Sequence, residues 1–190
     1  MKKILIINGN PRKDSFSDAI ALRYKNGAGD SCKILNLHEL NFDPVLHTGY
    51  KSQQNMEQDL IQAQQLISEA EHIVWVFPIW WGEMPALLKG FIDRVFLPGF
   101  AFKYKKDSPM WDKLLKGRST ELIVTMDAPV WHHVLFNRSH GTRALKKFTL
   151  EFCGFRFLGT TRMGSMRFSN EQKRELFLNK VQTLARKRSS

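Results

Sequence analysis

The chain has 190 residues, 43% of them hydrophobic and 25% charged, with a formal net charge of +11. That length suits one domain over residues 1–190, and folding removes roughly 70% of the surface that the unfolded chain exposes, so no covalent or metal staple is required. No apolar run reaches the ~18 residues of a membrane span, the run at 4–7 is too short for a secretory leader, and Cys32 and Cys153 stand far apart in no CxxC spacing, which excludes a disulfide framework and a cysteine zinc site.

Strand and helix patterns alternate along the chain. "KILIIN" (3–8) is a short β-branched apolar run of the kind buried on both faces of a parallel sheet. After a Gly/Asn/Pro turn, "SFSDAIALRYKN" (15–26) predicts a helix stopped at Gly27. "CKILNL" (32–37) is a second strand, and 54–70 has apolar residues at helical spacing. "HIVWVF" (72–77) is a third strand, and 85–96 is a helix opened by Pro85. "TELIVTM" (120–126) is a fourth strand, 140–154 a helix closed by glycine, and 155–163 a fifth strand. A last helix starts at Ser169, with Gln172 placed for a capping box. This alternation predicts a parallel α/β fold with helices on both faces of the sheet. Ligands of such sheets bind beyond the carboxyl ends of the strands, so the loops after strands one, three and four are the places to look.

The first loop (8–20) joins a strand to a helix start and offers Ser15, Ser17 and exposed backbone N–H groups, with Arg12 beside them. That set suits a phosphate, although Ser15 equally suits a simple helix cap. Neither a Walker A motif nor a dinucleotide glycine fingerprint is present. The second loop, "FPIWWGEMP" (77–85), sets two tryptophans beside a glycine. Two indoles there make an apolar wall next to an anion cradle, the pair that a planar phosphorylated cofactor requires; plugging a gap in the core or a dimer contact is the competing role. The net charge favours anionic partners. A nucleic-acid binder would interleave aromatic and basic residues on an exposed face, whereas these tryptophans sit among prolines and apolar residues, so no nucleic-acid partner is expected.

"NPRKDSFSDAI" (10–20) followed by "FPIWWGEMPALLKGFIDRVFLPGFAFKY" (77–104) resembles the flavodoxin-like NAD(P)H:quinone oxidoreductases, a family that also includes the regulatory flavoproteins of potassium-efflux systems. The second block is long and nearly complete. The resemblance implies a flavodoxin-like three-layer α/β/α sandwich with a five-stranded parallel sheet in the order 2-1-3-4-5. It implies a flavin, with FMN favoured over FAD because no C-terminal extension is visible, and NAD(P)H as co-substrate. Asn10, Arg12, Ser15, Phe16 and Ser17 would hold the phosphate, and Pro78, Ile79, Trp80, Trp81 and Gly82 would border the ring system. The implied activity is hydride transfer from NAD(P)H through flavin to a quinone or similar small acceptor, by a cytoplasmic homodimer without membrane insertion. The alternative is a flavin-binding regulatory or electron-carrier subunit without turnover of its own.

The third loop departs from the family, whose members often carry T-T-G-G where this chain has Thr125, Met126 and Asp127 before Ala128 and Pro129. Thr125, Met126 and Asp127 are expected at the pyrimidine side of the flavin. A few residues on, His132 and His133 fall near positions where the family places groups over the site, and a histidinium there would stabilise a reduced anion. No third ligand has recognisable spacing for a metal. For a 2′-phosphate of NADPH, Arg12, Lys105 and Arg138 are the cations considered.

Overall fold

A computed structural model of the protein describes residues 2–52 and 54–189. Five strands build the main sheet: β1 (Ile4–Asn8), β2 (Cys32–Asn36), β3 (His72–Pro78), β6 (Ser119–Thr125) and β7 (Arg156–Met163), all parallel, in the order β2-β1-β3-β6-β7. Counting only these five, the order is the expected 2-1-3-4-5. The sequence reading missed a small antiparallel hairpin, β4 (Phe102–Tyr104) with β5 (Trp111–Lys113). Three residues per strand are too few to establish a period.

Alternation along the strands splits the interior in two. Leu5, Ile7, Trp75, Phe77, Leu122 and Val124 face α2 (Gln58–Glu69), α3 (Ala86–Val95) and the helical stretch running from α5 (His140–Ala144) to α6 (Glu151–Cys153). Ile4, Ile6, Val74, Val76 and Ile123 face α1 (Phe16–Ala28) and α7 (Glu171–Ser189), where they meet Ile20, Tyr24, Val181 and Ala185. Both faces are therefore covered by helices, which is why the strands are apolar without alternating polarity.

Several helix boundaries differ from expectation, and α2 begins at Gln58 rather than at residue 54. Helix α1 runs through Gly27 to Ala28 and ends at Gly29, whose φ is 86°. Gly27 is a packing glycine: a Cβ there would lie 2.6 Å from the Gln182 carbonyl of α7. Helix α7 starts two residues late, because the Asn170 side chain, not that of Ser169, accepts the Lys173 backbone N–H. The helix expected over 140–154 contains a π-helical segment at Leu145–Leu150. A short helix, α4 (Val130–Leu135), follows Pro129 and has no counterpart in the sequence reading. Among the described residues no helix is long and apolar enough to cross a membrane.

Candidate functional site

Three loops leave the carboxyl edge of the sheet side by side. The first is stiffened by side chains. Buried Asn8 donates from Nδ2 to Asp18 Oδ1 (2.5 Å) and to Asn36 Oδ1 (3.2 Å), while its own Oδ1 accepts the Asn10 N–H. Asn10 donates to Ser17 Oγ at 3.2 Å and accepts the Arg12 N–H at 3.1 Å. Ser15 forms a capping box with Asp18: the backbone N–H and hydroxyl of Ser15 donate to the carboxylate, and Ser15 Oγ accepts the Asp18 N–H. The Ser15 side chain is thus committed to the helix, whereas Phe16 and Ser17, whose N–H groups precede the first intrahelical acceptor, line the cleft.

The second loop is tied to the third by the Ile79 N–H, which donates to the Thr125 carbonyl at 2.7 Å. Trp80 and Glu83 then exchange two backbone hydrogen bonds of 2.9 Å across a turn whose central residues, Trp81 and Gly82, have φ of 52° and 83°. Positive φ at both centres is the signature of a type I′ turn. Glycine adopts it freely, but tryptophan does so under strain of about 1–2 kcal/mol. Gly141 at the start of α5 lies against this turn, since a Cβ there would sit 2.5 Å from the Gly82 carbonyl. The third loop is tied to the end of β7: the Met126 N–H donates to Met163 (2.9 Å), and the Met166 N–H donates back to the Met126 carbonyl (3.2 Å).

These ties leave a cleft of about 360 Å³. Asn10, Arg12, Phe16 and Ser17 line one end, Pro78, Ile79 and Trp80 a wall, and Thr125, Met126 and Asp127 the opposite side, with Met166 closing it. Ten of the thirteen residues named from the sequence at the first three loops therefore share one cavity. Three do not line it. Ser15 caps α1, and Trp81, fully exposed, turns outward with Gly82 to line a neighbouring cavity of about 420 Å³ with Phe136 and His140. Met166 was missed: it lies on a 3₁₀ turn after Ser165, a left-handed residue with φ of 54°, and nothing in its sequence neighbourhood marks it.

His132 and His133 sit on α4, and neither lines the cleft. His133 is buried with Nε2 unpartnered among the described residues, and His132 stacks on Phe136 at 5.2 Å. Burial first, then the nearby charges of Arg162 and His132, hold the His133 imidazolium below the usual histidine range. That direction disfavours the histidinium expected at His133. Lys105 pairs with Asp112 on the hairpin at 3.4 Å, and Arg138 sits in a left-handed bend after α4; neither lines the cleft. No cluster of three metal-ligating side chains occurs among the described residues. A wider cavity, about 570 Å³, lies elsewhere, between α3, the hairpin and the 148–153 stretch.

A family model described as "Flavodoxin-like fold" matches residues 2–187. The chain is 27% identical over 214 residues to ribosyldihydronicotinamide dehydrogenase (quinone) of Mus musculus, covering 93% of this chain and 87% of that protein. Among solved structures, Smu.1420 from Streptococcus mutans superposes with a TM-score of 0.82 at 31% identity, covering 97% of this chain and 98% of its own. An FMN-dependent NADH-azoreductase from Bacillus anthracis, in complex with FMN, superposes with a TM-score of 0.70 at 20% identity over the full length of both chains.

Proposed function

The chain belongs to the flavodoxin-like fold family, and from that premise we propose that it is a flavin-dependent NAD(P)H oxidoreductase, one flavin-binding domain over residues 1–190, that reduces a quinone or similar small acceptor. One observation carries the reading: three loops converge on a single cleft with phosphate donors at one end and a proline–tryptophan wall along its side. The donor set fits FMN, since a cation, a hydroxyl, an amide and the positive end of a helix meet where a phosphate needs them, and the wall is flat and apolar where a ring system needs it. The Mus musculus relative, a quinone dehydrogenase by name, matches along nearly the whole chain.

When bound, FMN would supply the two-electron redox chemistry between a dihydronicotinamide and the acceptor. The residues of this chain bind and orient it. Ser17, Asn10, Arg12 and the free N–H groups at the start of α1 would hold the phosphate, with Phe16 beside them. Ser15 acts through the helix it caps. Pro78, Ile79 and Trp80 would border the ring, and Thr125, Met126 and Asp127 would lie on its far side. His132 and His133, on α4 after the third loop, are the residues proposed to act at the acceptor step through that loop. The exposed side chains Tyr50, Tyr104 and Phe148 around the wider cavity make an apolar face that suits a homodimer contact.

The test is the visible spectrum of the purified protein before and after anaerobic NADPH. Oxidised-flavin bands that bleach are the expected result, and flavin released by heat should be FMN. Bands that persist favour a carrier or regulatory subunit instead. A colourless protein that takes up neither FMN nor FAD on reconstitution overturns the reading.

A further inference from the structure

Among the described residues, four buried side-chain atoms have no hydrogen-bond partner: Nε2 of His72, Nδ1 of His132, Nε2 of His133 and Nε of Arg162. His72 Nε2 still has the Glu121 carboxylate at 3.4 Å. The other three belong to α4 and to the strand beside it. That strand, β7, is the last of the sheet, with one edge free. Arg162 pairs with Val124 and projects to the same face of the sheet, opposite to that of Met163. Gly164, two residues on, points the same way and packs on the start of α4, since a Cβ there would lie 2.7 Å from the Val130 nitrogen. His133 follows Val130 by one helical turn and shares its side of α4, and the charge of Arg162 reaches its ring. Arg162 differs from the other arginines described: it alone has a buried nitrogen left without a partner. Its one side-chain hydrogen bond, from Nη1 to the Thr160 carbonyl, is 3.3 Å long. Burial pulls its guanidinium below the usual arginine value, with no carboxylate acting against it.

We propose that Arg162 and His133 form an anion site behind the third loop, between β7 and α4, for a small anion of one charge, a halide or a small carboxylate. A buried cation and a buried imidazole with no carboxylate between them leave a desolvation cost that a bound anion offsets. Arg162 Nε–H donates to it, and so does the His133 ring with its proton on Nε2. One guanidinium balances one negative charge, whereas a doubly charged phosphate would stay undercompensated there. Arg162 is part-exposed, so the anion enters at the free edge of β7. Because α4 follows directly on the loop that carries Asp127 to the cleft, the bound anion pins that loop from behind. The site stands on these observations alone and holds whether or not the cleft takes a flavin.

The experiment follows thermal unfolding of the full chain at pH 8, above the usual histidine value of about 6.5. Sodium chloride or sodium formate replaces the salt of a bulky sulfonate at constant ionic strength, so that general screening stays fixed. The expected result is a midpoint that rises and saturates, by about 3–5 °C when the anion stands at about ten times its dissociation constant. Arg156→Gln, an exposed position on the same strand, should keep the rise, and Arg162→Gln should lose it. A rise with chloride alone assigns the site to a halide, with formate alone to a small carboxylate, and with both to any small single charge. No rise with either anion overturns the site and leaves the gap to water. A rise that Arg162→Gln keeps in full also overturns it, as an effect of the basic surface at large. Should Arg162→Gln fail to fold, His133→Leu takes its place: loss of the rise supports the site, and a full rise overturns it.

Discussion

Ser15 and Ser17 are two residues apart and serve different ends. Ser15 Oγ is locked in a capping box, so Ser15→Ala should lower stability by about 1 kcal/mol, read as a lower denaturation midpoint, with little change in flavin affinity. Ser17 Oγ faces the cleft beside Asn10. A hydroxyl on an anionic phosphate contributes about 1.5–3 kcal/mol, so Ser17→Ala should weaken FMN binding roughly tenfold to a hundredfold in a fluorescence titration. Trp81 gives a third test at this scale. Its indole is fully exposed and its φ of 52° is strained. Trp81→Gly should therefore leave the melting temperature unchanged or raise it, whereas truncating a buried tryptophan costs about 3–5 kcal/mol. Replacing His132 and His133 together should slow the acceptor half-reaction more than flavin reduction in stopped-flow measurements. Equal effects on both steps would make them structural residues only.

At the scale of elements, α1 and α7 are joined closely enough that glycine is required. An alanine inside a helix ordinarily gains about 1 kcal/mol over glycine, but at Gly27 its Cβ would meet the Gln182 carbonyl. Gly27→Ala should therefore destabilise the protein by about 1–3 kcal/mol. The far end of α7 is latched to the sheet. Glu121, buried in β6, accepts from Arg188 Nε (3.0 Å) and from the Tyr24 hydroxyl (2.9 Å), with His72 Nε2 at 3.4 Å. Arg188→Ala leaves this carboxylate short of its main counter-charge and should lower stability by about 2–3 kcal/mol, more than Arg→Ala at an exposed pair such as Arg23–Glu175.

For the whole molecule, two buried groups give the pH dependence the same sign. Burial alone would raise the Glu121 carboxyl, but hydrogen bonds from His72, Arg188 and Tyr24 outweigh it and hold the group below the usual glutamate range. Its contribution is present above about pH 4.3, the unfolded value, and is lost as pH falls through the lower folded value. His133 is likewise depressed. The unfolded chain takes up its proton first, near pH 6.5, so stability falls as pH drops from there toward the lower folded value. Urea unfolding between pH 8 and pH 4 should show a decline that starts near pH 6.5, and His133→Gln should remove its first part. A midpoint that is flat over that range would show that His133 is not buried in its neutral form. The apolar face around the wider cavity has its own check: light scattering should give twice the chain mass if it joins two copies.

The five strands, the helices between them and the three loops that matter were legible in the sequence, because buried parallel strands are apolar throughout and ligand loops in this architecture sit at strand ends, whereas the order of the strands in the sheet came from the family resemblance. Most residues named for the cleft share one cavity for the same reason: each follows directly on a strand whose end is fixed by its neighbours' hydrogen bonds. What the chain pattern could not decide is which way a side chain turns once the backbone bends. Trp80 lines the cleft and Trp81 leaves it because a left-handed turn separates them, and the sequence reading takes them as one wall. His132 and His133 lie beside the right loop yet behind it, because α4 is too short to show a period. Met166 comes to the cleft from the turn after β7, more than 140 residues after the first loop. The pairing of β7 with β6 and the hydrogen bond from the Met166 N–H to the Met126 carbonyl bring it there.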